Sequence, residues 1–546
     1  MDSNTKKYKF TYTLLLKYLF SIALMFLACN GVGNGKIFVS AFLELAVIWA
    51  FMETICSTRI RIVANGILLL LFNAQMLILW FGGDFISLVM LTNIDNLRDL
   101  SGKIIVYFLG IAAVLLFSLY PTGRITNIKN KRVRAIPRRV LSLALFLELV
   151  FTMIFGNLFS PMFAYWRLGG EAREAARVRK ELESMGDCTK DFYRQSIQGP
   201  CVDKPAGLGE KPNIVLILTE GLSENILKDD RNIMPNAAAL EEKSVSFKNY
   251  YNHTFATYRG IIGQLYSGYQ LDNYDSNSLI GLQDILSDNG YNTSFINTEP
   301  KLVPFANYLS EMGFDEVVGD AAVGYSGPGG SMSDREAYEL LFSEMENNNA
   351  SGRPFFTAIY TFGTHASFDS PDQKFGDGKQ SELNKFYNVD CWLGEFLQKF
   401  ENSPCFDNTI LVFTTDHATY ADLYYNEAFP DYQRSHPSID QIPLMIYHKG
   451  VEARTIDALG KNSLDLAPTI LDYVDINGPN YFLGASLFFE ADDINSLDTI
   501  FTSSADYYST RGCNIRKLDE SDVETSIVQK LIQNYYAAKQ QIPQKP

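Results

Sequence analysis

The sequence predicts two architectures in series: an α-helical domain with five membrane spans, then a soluble, extracytoplasmic α/β domain built on a doubly wound sheet. Three observations carry this reading. Residues 1–166 are dominated by long apolar runs. The rest alternates short, wholly apolar strand candidates with helix candidates. Two of those strands end in metal-ligand residues, Glu220 and the pair Asp416-His417.

The apolar runs lie at Phe10–Cys29, Ile37–Cys56, Ile62–Phe81, Ile104–Leu119 and Val140–Trp166. A helix crosses a bilayer in about 20 residues, so each is a candidate span. The first shows no small-residue cleavage site and four more follow, so it reads as a retained span rather than a signal peptide. Lys6 and Lys7 precede the first run, and Arg59 and Arg61 separate the second from the third. Arg124, Lys129, Lys131, Arg132, Arg134, Arg138 and Arg139 separate the fourth from the fifth. The alternate loops hold few cations, such as Lys36, Arg98 and Lys103. Cations gather on the cytoplasmic side. The N-terminus is therefore expected inside, and five crossings put everything after Trp166 outside. The net charge of −15 argues against a nucleic acid partner, which needs a basic surface.

Residues 167–211 are charged, and Gly170–Met185 has helix-forming composition, so this stretch is expected to be a juxtamembrane helix and linker. The soluble domain is expected over residues 212–546. Strand candidates are Ile214–Thr219, Ser246–Tyr251, Thr293–Asn297, Pro354–Phe362, Thr409–Thr415 and Pro443–His448. Helix candidates are Thr257–Tyr266, Leu279–Asp288, Ser333–Asn347, Glu382–Phe400 and Leu464–Val474, with a final helix after about Thr525. Runs apolar throughout suit a parallel sheet covered on both faces. Such sheets bind ligands beyond the carboxyl ends of their strands.

Glu220, Asp416 and His417 fall at those ends. A carboxylate after a buried strand is costly unless exposed or paired. An adjacent Asp and His offer one oxygen and one nitrogen ligand, which suits zinc or manganese. Either motif alone reads as a strand-end turn; the two together point to one metal site. Thr257 opens an apolar helix, where free N–H groups and the helix dipole bind phosphate oxygens. A threonine is a weak nucleophile unless a metal or base activates it, and an ordinary N-cap is the competing role. Thr254 is the other hydroxyl candidate.

All five histidines lie in the expected soluble domain, residues 212–546. His365, just past a strand, is a candidate acid or base. His253 and His436 are candidate substrate contacts, with a purely structural role equally weighted, and His448 is expected to be structural. Of seven cysteines, Cys29 and Cys56 fall in spans and Cys513 stands alone. Cys188 with Cys201, and Cys391 with Cys405, are close pairs on the side where disulfides persist, and both bridges are expected.

These residues carry a resemblance. The second half resembles the sulfatase and alkaline phosphatase superfamily. With five N-terminal spans, the chain is similar to the membrane transferases typified by lipoteichoic acid synthase and lipid A phosphoethanolamine transferase. The matching elements are the strand Asn213–Glu220, Thr257 with Leu265 and Ser267 after it, the Asp416-His417 pair, the strand Ile442–Tyr447 and the helix start Leu464–Thr469. The resemblance implies an alkaline phosphatase-like sheet and a divalent metal (manganese, zinc or magnesium) held by Glu220, Thr257, Asp416 and His417, with a second metal left open. It implies Thr257 as nucleophile and His365 as acid or base. The donor would be a membrane phospholipid, the acceptor an envelope polysaccharide or lipid, and the location a bacterial inner membrane. Ala256-Thr257-Tyr258-Arg259 lacks the Cys/Ser-x-Pro-x-Arg pattern that sulfatases convert to formylglycine. The His-x-Asp and Trp-x-Arg pairs of lipoteichoic acid synthases are missing from Phe295–Phe314, where Glu299 and Lys301 stand as alternative substrate contacts. Two other readings share the residues: a membrane-anchored phosphodiesterase or sulfatase-like hydrolase, and a silent binding or assembly protein.

Overall fold

The computed structural model of the protein describes residues 3–32, 34–92, 104–121, 131–184, 189–197, 208–270, 272–275, 277–366, 368–489, 500–503, 506–519, 521 and 523–541. The chain forms two compact units. The first gathers the N-terminal helices together with the segment Ala421–Gln433.

In this first unit, three helices are long and apolar enough to cross a membrane among the described residues: Leu15–Val32, Gly35–Thr54 and Thr58–Gly82. Ile104–Leu119 is a shorter apolar helix. Polar side chains tie helices together: Lys17 Nζ donates to Asn65 Oδ1 at 3.2 Å, and Asn73 Nδ2 donates to Ser118 Oγ at 2.9 Å. Within an apolar phase such pairs hold helices together. Large apolar side chains stay exposed along these helices, for example Ile105 and Met153, as expected of surfaces that meet lipid.

The expected span Val140–Trp166 is corrected. The helix Lys131–Phe155 ends before Gly156, which takes φ 76°, and a new helix runs from Pro161 to Ser184. A left-handed glycine closes one helix, and a capping serine followed by proline opens the next. Ser160 Oγ accepts from Phe163 N at 3.0 Å. The helix expected at Gly170–Met185 is the continuation of this second helix. Residues of Ala421–Gln433 pack in the same unit: Asn426 Nδ2 donates to the Gly31 carbonyl at 3.4 Å.

The second unit is built on eight strands: β1 Asn213–Thr219, β2 Val245–Lys248, β3 Asn292–Ile296, β4 Glu316–Val318, β5 Phe355–Tyr360, β6 Thr409–Thr415, β7 Met445–Tyr447 and β8 Arg454–Asp457. Their order is β4-β3-β5-β1-β6-β7-β2-β8. The sheet is mixed rather than wholly parallel, because β7 runs antiparallel to both β6 and β2. The strands β4 and β8 were not expected from the sequence. They lie at the two edges and carry no continuous apolar run. All seven residues of β1 and of β6 are buried, which explains their continuous apolar runs. A small antiparallel sheet, β9 Ile500–Ser503, β10 Asp506–Ser509 and β11 Arg516–Lys517, was also missed, and the final helix spans Val523–Gln541.

One expected disulfide is corrected here. Cys391 and Cys405 are both free thiols, and Cys405 Sγ approaches the Met345 carbonyl at 3.7 Å. Cys391 sits inside the helix Ser381–Glu401, while Cys405 lies in the turn Pro404–Asn408 beyond it. At 1.5 Å per residue, about 15 Å of helix separates Cys391 from that turn, and a bridge needs Cα atoms within about 7 Å. The other expected pair, Cys188 and Cys201, lies outside the described residues.

Candidate active site

The site grows from the register of two neighbouring strands. β1 and β6 run parallel with Thr219 opposite Thr415, so the residues that follow emerge side by side at the carboxyl edge. These are Glu220 on one side and Asp416-His417 on the other. All three are buried, and one ligand atom from each lies within 4.8 Å of the others.

Their orientation is set by short bonds. Asp416 Oδ1 accepts from the backbone N–H of Gly221 at 2.8 Å and of His417 at 2.7 Å. Its other oxygen, Oδ2, is buried without a hydrogen-bond donor. His417 Nδ1 lies 2.8 Å from the Ala418 carbonyl, which places the ring proton there. Nε2 then faces inward, 3.4 Å from Glu220 Oε1 and 3.5 Å from Asp416 Oδ2. The orphaned carboxylate oxygen, the inward imidazole nitrogen and the facing glutamate together fit a divalent cation, which takes such mixed oxygen and nitrogen donors.

The electrostatics agree. Burial pushes Glu220 up, but the hydrogen bond and charge of His417 outweigh it and hold the carboxyl at about 2. Burial and then the Glu220 charge push Asp416 up to about 7. Burial lowers His417, yet Asp416 and Glu220 together carry it up to about 9. Two carboxylates and one imidazole thus retain a proton where a divalent ion would supply the charge.

The hydroxyl is delivered by the helix Thr257–Tyr266. Thr257 Oγ1 donates to Glu220 Oε2 at 2.9 Å. Thr257 is half-buried, whereas Thr254 is buried. The helix is docked at close range. Gln264 Nε2 donates to the carbonyls of Thr415 at 3.0 Å and Asp416 at 3.2 Å. The residue before the threonine, Ala256, sits at φ 138° and ψ 137°, a conformation that favours glycine.

The remaining candidates separate clearly. His365, just past β5, is half-buried, and its Nδ1 has no hydrogen-bond partner. Burial lowers its pKa, the Glu220 charge opposes that, and the Lys385 charge adds to it. His253 is fully buried, with Nδ1 2.7 Å from Ser463 Oγ. Its Nε2 lies against Gly263 of the threonine helix, so it braces that helix rather than meeting substrate. His436 packs its ring 4.6 Å from that of Tyr508, and its Nδ1 accepts from Ser438 N at 3.1 Å. His448 Nε2 lies 2.9 Å from the Tyr473 hydroxyl, a structural contact. Glu299 accepts from the hydroxyls of Tyr360 at 2.9 Å and Tyr258 at 3.3 Å, and it lines a cleft with Lys301.

Sequence reasoning missed Gly260 and Gln264, which dock the helix, and Phe255, whose ring lies 5.1 Å from that of His417. It also missed the buried ion pair of Lys385 with Glu382. A lysine on the apolar face of an amphipathic helix was the available signal for that pair.

Comparison with known proteins agrees with this geometry. Residues 212–476 match the sulfatase family model. The uncharacterized sulfatase YdeN of Escherichia coli (strain K12) is 26% identical over 201 residues, 35% of this chain and 31% of that protein. The match therefore spans about a third of that relative's length. A protein of the alkaline phosphatase superfamily from Vibrio parahaemolyticus superposes with a TM-score of 0.50 at 18% identity, covering 67% of this chain and 95% of that one. Other structural neighbours include the lipoteichoic acid synthase LtaP of Listeria monocytogenes (TM-score 0.47, 16% identity, 62% of this chain and 94% of that one). The lipooligosaccharide phosphoethanolamine transferase EptA of Neisseria meningitidis is another (TM-score 0.49, 13% identity, 89% and 97%). Residues 212–476 thus match the sulfatase family model on an alkaline phosphatase-like fold with a carboxyl-edge site, and apolar helices precede them in the chain.

Proposed function

We propose that the chain is a membrane-bound transferase. It would move a phospholipid head group together with its phosphate onto an envelope glycan or lipid through a covalent Thr257 intermediate. The carrying observation is the 2.9 Å contact of Thr257 Oγ1 with Glu220, inside the cluster of Glu220, Asp416 and His417. Glu220, Asp416, His417 and Thr257 are the residues that would hold one divalent ion, manganese, zinc or magnesium. When bound, such an ion lowers the pKa of a hydroxyl and polarises a phosphoryl oxygen.

The chain's own residues account for the rest. Glu220 orients the Thr257 hydroxyl, and the helix N-terminus behind it favours phosphate oxygens. Thr257 Oγ1 attacks phosphorus, the bond to diacylglycerol breaks, and diacylglycerol leaves with a proton. An acceptor hydroxyl then attacks the same phosphorus, and Thr257 leaves as the restored alcohol. His365, with its unpartnered Nδ1, takes the acceptor's proton, and that proton is returned to Thr257 Oγ1 as it leaves. The apolar helices support a membrane location, and the cation bias of their loops supports an extracytoplasmic catalytic domain in an inner membrane.

The test uses the full chain in detergent with manganese and mixed phospholipids, read by intact mass. A head-group phosphate added to the wild type and missing from Thr257→Ala supports the reading. An adduct that persists in Thr257→Ala overturns the assignment of the nucleophile. Free head-group phosphate released without acceptor makes the protein a hydrolase, and lack of bound metal or adduct makes it a binding protein.

A further inference from the structure

His365 is held in place by residues that lie outside the metal cluster. It sits in the turn that follows β5, the strand beside β1. Its N–H donates to the Phe362 carbonyl at 3.3 Å, and Thr364 Oγ1 donates to the Glu220 carbonyl at 2.5 Å. Gly363 lets a carboxylate reach this turn: a β-carbon there would overlap both carboxylate oxygens of Asp334.

Asp334 opens the helix Asp334–Ala350 behind a capping box of Ser333 with Glu336. An acidic residue at such a point favours the helix dipole even when it faces water. Asp334 is instead 2% exposed and turned onto the Gly363 backbone. Its Oδ2 accepts from Asn388 Nδ2 at 2.7 Å. Burial pushes the carboxyl up to about 6, and hydrogen bonds from Asn388 and the Gly363 backbone oppose the rise, so it stays ionised at pH 7.

Asn388 is buried in the helix Ser381–Glu401, and its Oδ1 accepts from Gln373 N at 3.2 Å. One turn earlier, buried Asn384 accepts from Phe375 N at 3.0 Å and donates to Asp369 Oδ1 at 3.0 Å. The chain is thus held on both sides of His365, before it through Asp334 and after it through the two asparagines. A turn that needed only packing would be served by apolar contacts, because a buried charge is costly. A carboxylate only accepts, so it fixes the direction of the donors around it.

We infer that Asp334, through Asn388 and the Gly363 backbone, is a positioning residue that fixes His365 for the proton step at the acceptor. The inference rests on the reading of Thr257 as nucleophile and His365 as base.

The test uses the full chain in detergent with manganese and mixed phospholipids. Intact mass follows two rates: loading of Thr257, and discharge of the adduct to methyl glucoside or to water. Either hydroxyl gives its proton to the same base. Asp334→Asn keeps the size of the side chain but turns a donor toward Asn388 or toward the Gly363 N–H. Discharge is expected to fall at least about 10-fold relative to loading, so that adduct accumulates, as in His365→Ala. Adding Asp334→Asn to His365→Ala should cost nothing more, because a residue that acts through another is not additive with it. Deuterium uptake of the peptide holding Gly363–His365 should rise in Asp334→Asn, while the metal-induced shift in melting temperature stays at wild-type size. Asp334 is buried and its change can unfold the domain, so Asn388→Ala, on a different helix, is the second arm and should give the same pattern. Equal losses in loading and discharge, full additivity with His365→Ala, or unchanged discharge and uptake in both variants overturns the inference. A wild type that never loads Thr257 refutes the transferase reading instead. Uptake then decides alone: a rise confined to the His365 turn keeps Asp334 as its support, and no rise overturns it.

Discussion

The backbone of Gly260 lies directly against the carbonyl oxygen of Asp416: a β-carbon at that glycine would overlap the oxygen. The helix carrying Thr257 therefore meets the strand end carrying Asp416 and His417 at backbone contact. No side chain larger than hydrogen preserves that spacing.

Gly260→Ala is expected to lift the helix off β6. Overpacking of this kind costs about 1–3 kcal/mol. Melting temperature should fall, and adduct formation should fall further than stability predicts, because Thr257 moves relative to Glu220. Equal melting curves and equal adduct rates for the two proteins would contradict the close approach.

Removing metal should be visible without any substrate. A ligand that binds only the folded state stabilises it by about 2.7 kcal/mol at 100 times its Kd. Chelation should lower the melting temperature, and manganese or zinc should restore it. Asp416→Asn should erase most of this shift, since Asp416 Oδ2 is the buried oxygen without a donor. A metal response of wild-type size in that variant would place the ion elsewhere.

Ala256 holds φ 138° just before Thr257. Strain of this type costs about 1–3 kcal/mol, and glycine relieves it. Ala256→Gly is expected to raise the unfolding midpoint while leaving the metal-induced shift intact. A clear drop in midpoint would show that the alanine is unstrained.

His253 supplies a pH dependence. Burial holds its ring down at about 3, from 6.5, against a backbone hydrogen bond with Arg259. Between those values the unfolded chain binds more protons than the folded one, so stability falls as pH falls. The contribution is complete above 6.5 and lost toward 3, with a limiting slope of about 1.4 kcal/mol per pH unit. Denaturant titrations at pH 7 and pH 5 should show this loss, and His253→Gln should make it smaller, leaving the part due to His436, whose ring burial also holds at about 3. An unchanged slope in the variant would assign the acid sensitivity to other groups.

The free thiols Cys391 and Cys405 should behave as such. Alkylation of the unreduced protein, mapped by mass, is expected to label the partly exposed Cys391. Cys391 and Cys405 recovered as one linked peptide would restore the bridge.

The parts of the fold written in local pattern were legible. Uniform apolar runs marked β1 and β6, and the helix Thr257–Tyr266 was expected with the same ends. The short edge strands β4 and β8 were not, because exposed strands need no apolar run. The break at Gly156 was also hidden: hydropathy averages across a turn that a single backbone angle creates. The expected Cys391–Cys405 bridge failed for a related reason, since closeness in sequence says little when a rigid helix lies between.

By itself the sequence determined the residue types that could bind metal and phosphate, the strands that end in them, and the apolar helices ahead of them. These follow from side-chain chemistry and from periodicity within a few residues. Only the tertiary structure decided that Thr257 touches Glu220, that Asp416 keeps one oxygen without a donor, and that His253 is a buried brace. Those facts depend on the register of β1 against β6 and on one glycine at a helix–strand contact, between residues far apart in the chain. No local pattern encodes such distances, because packing sets them.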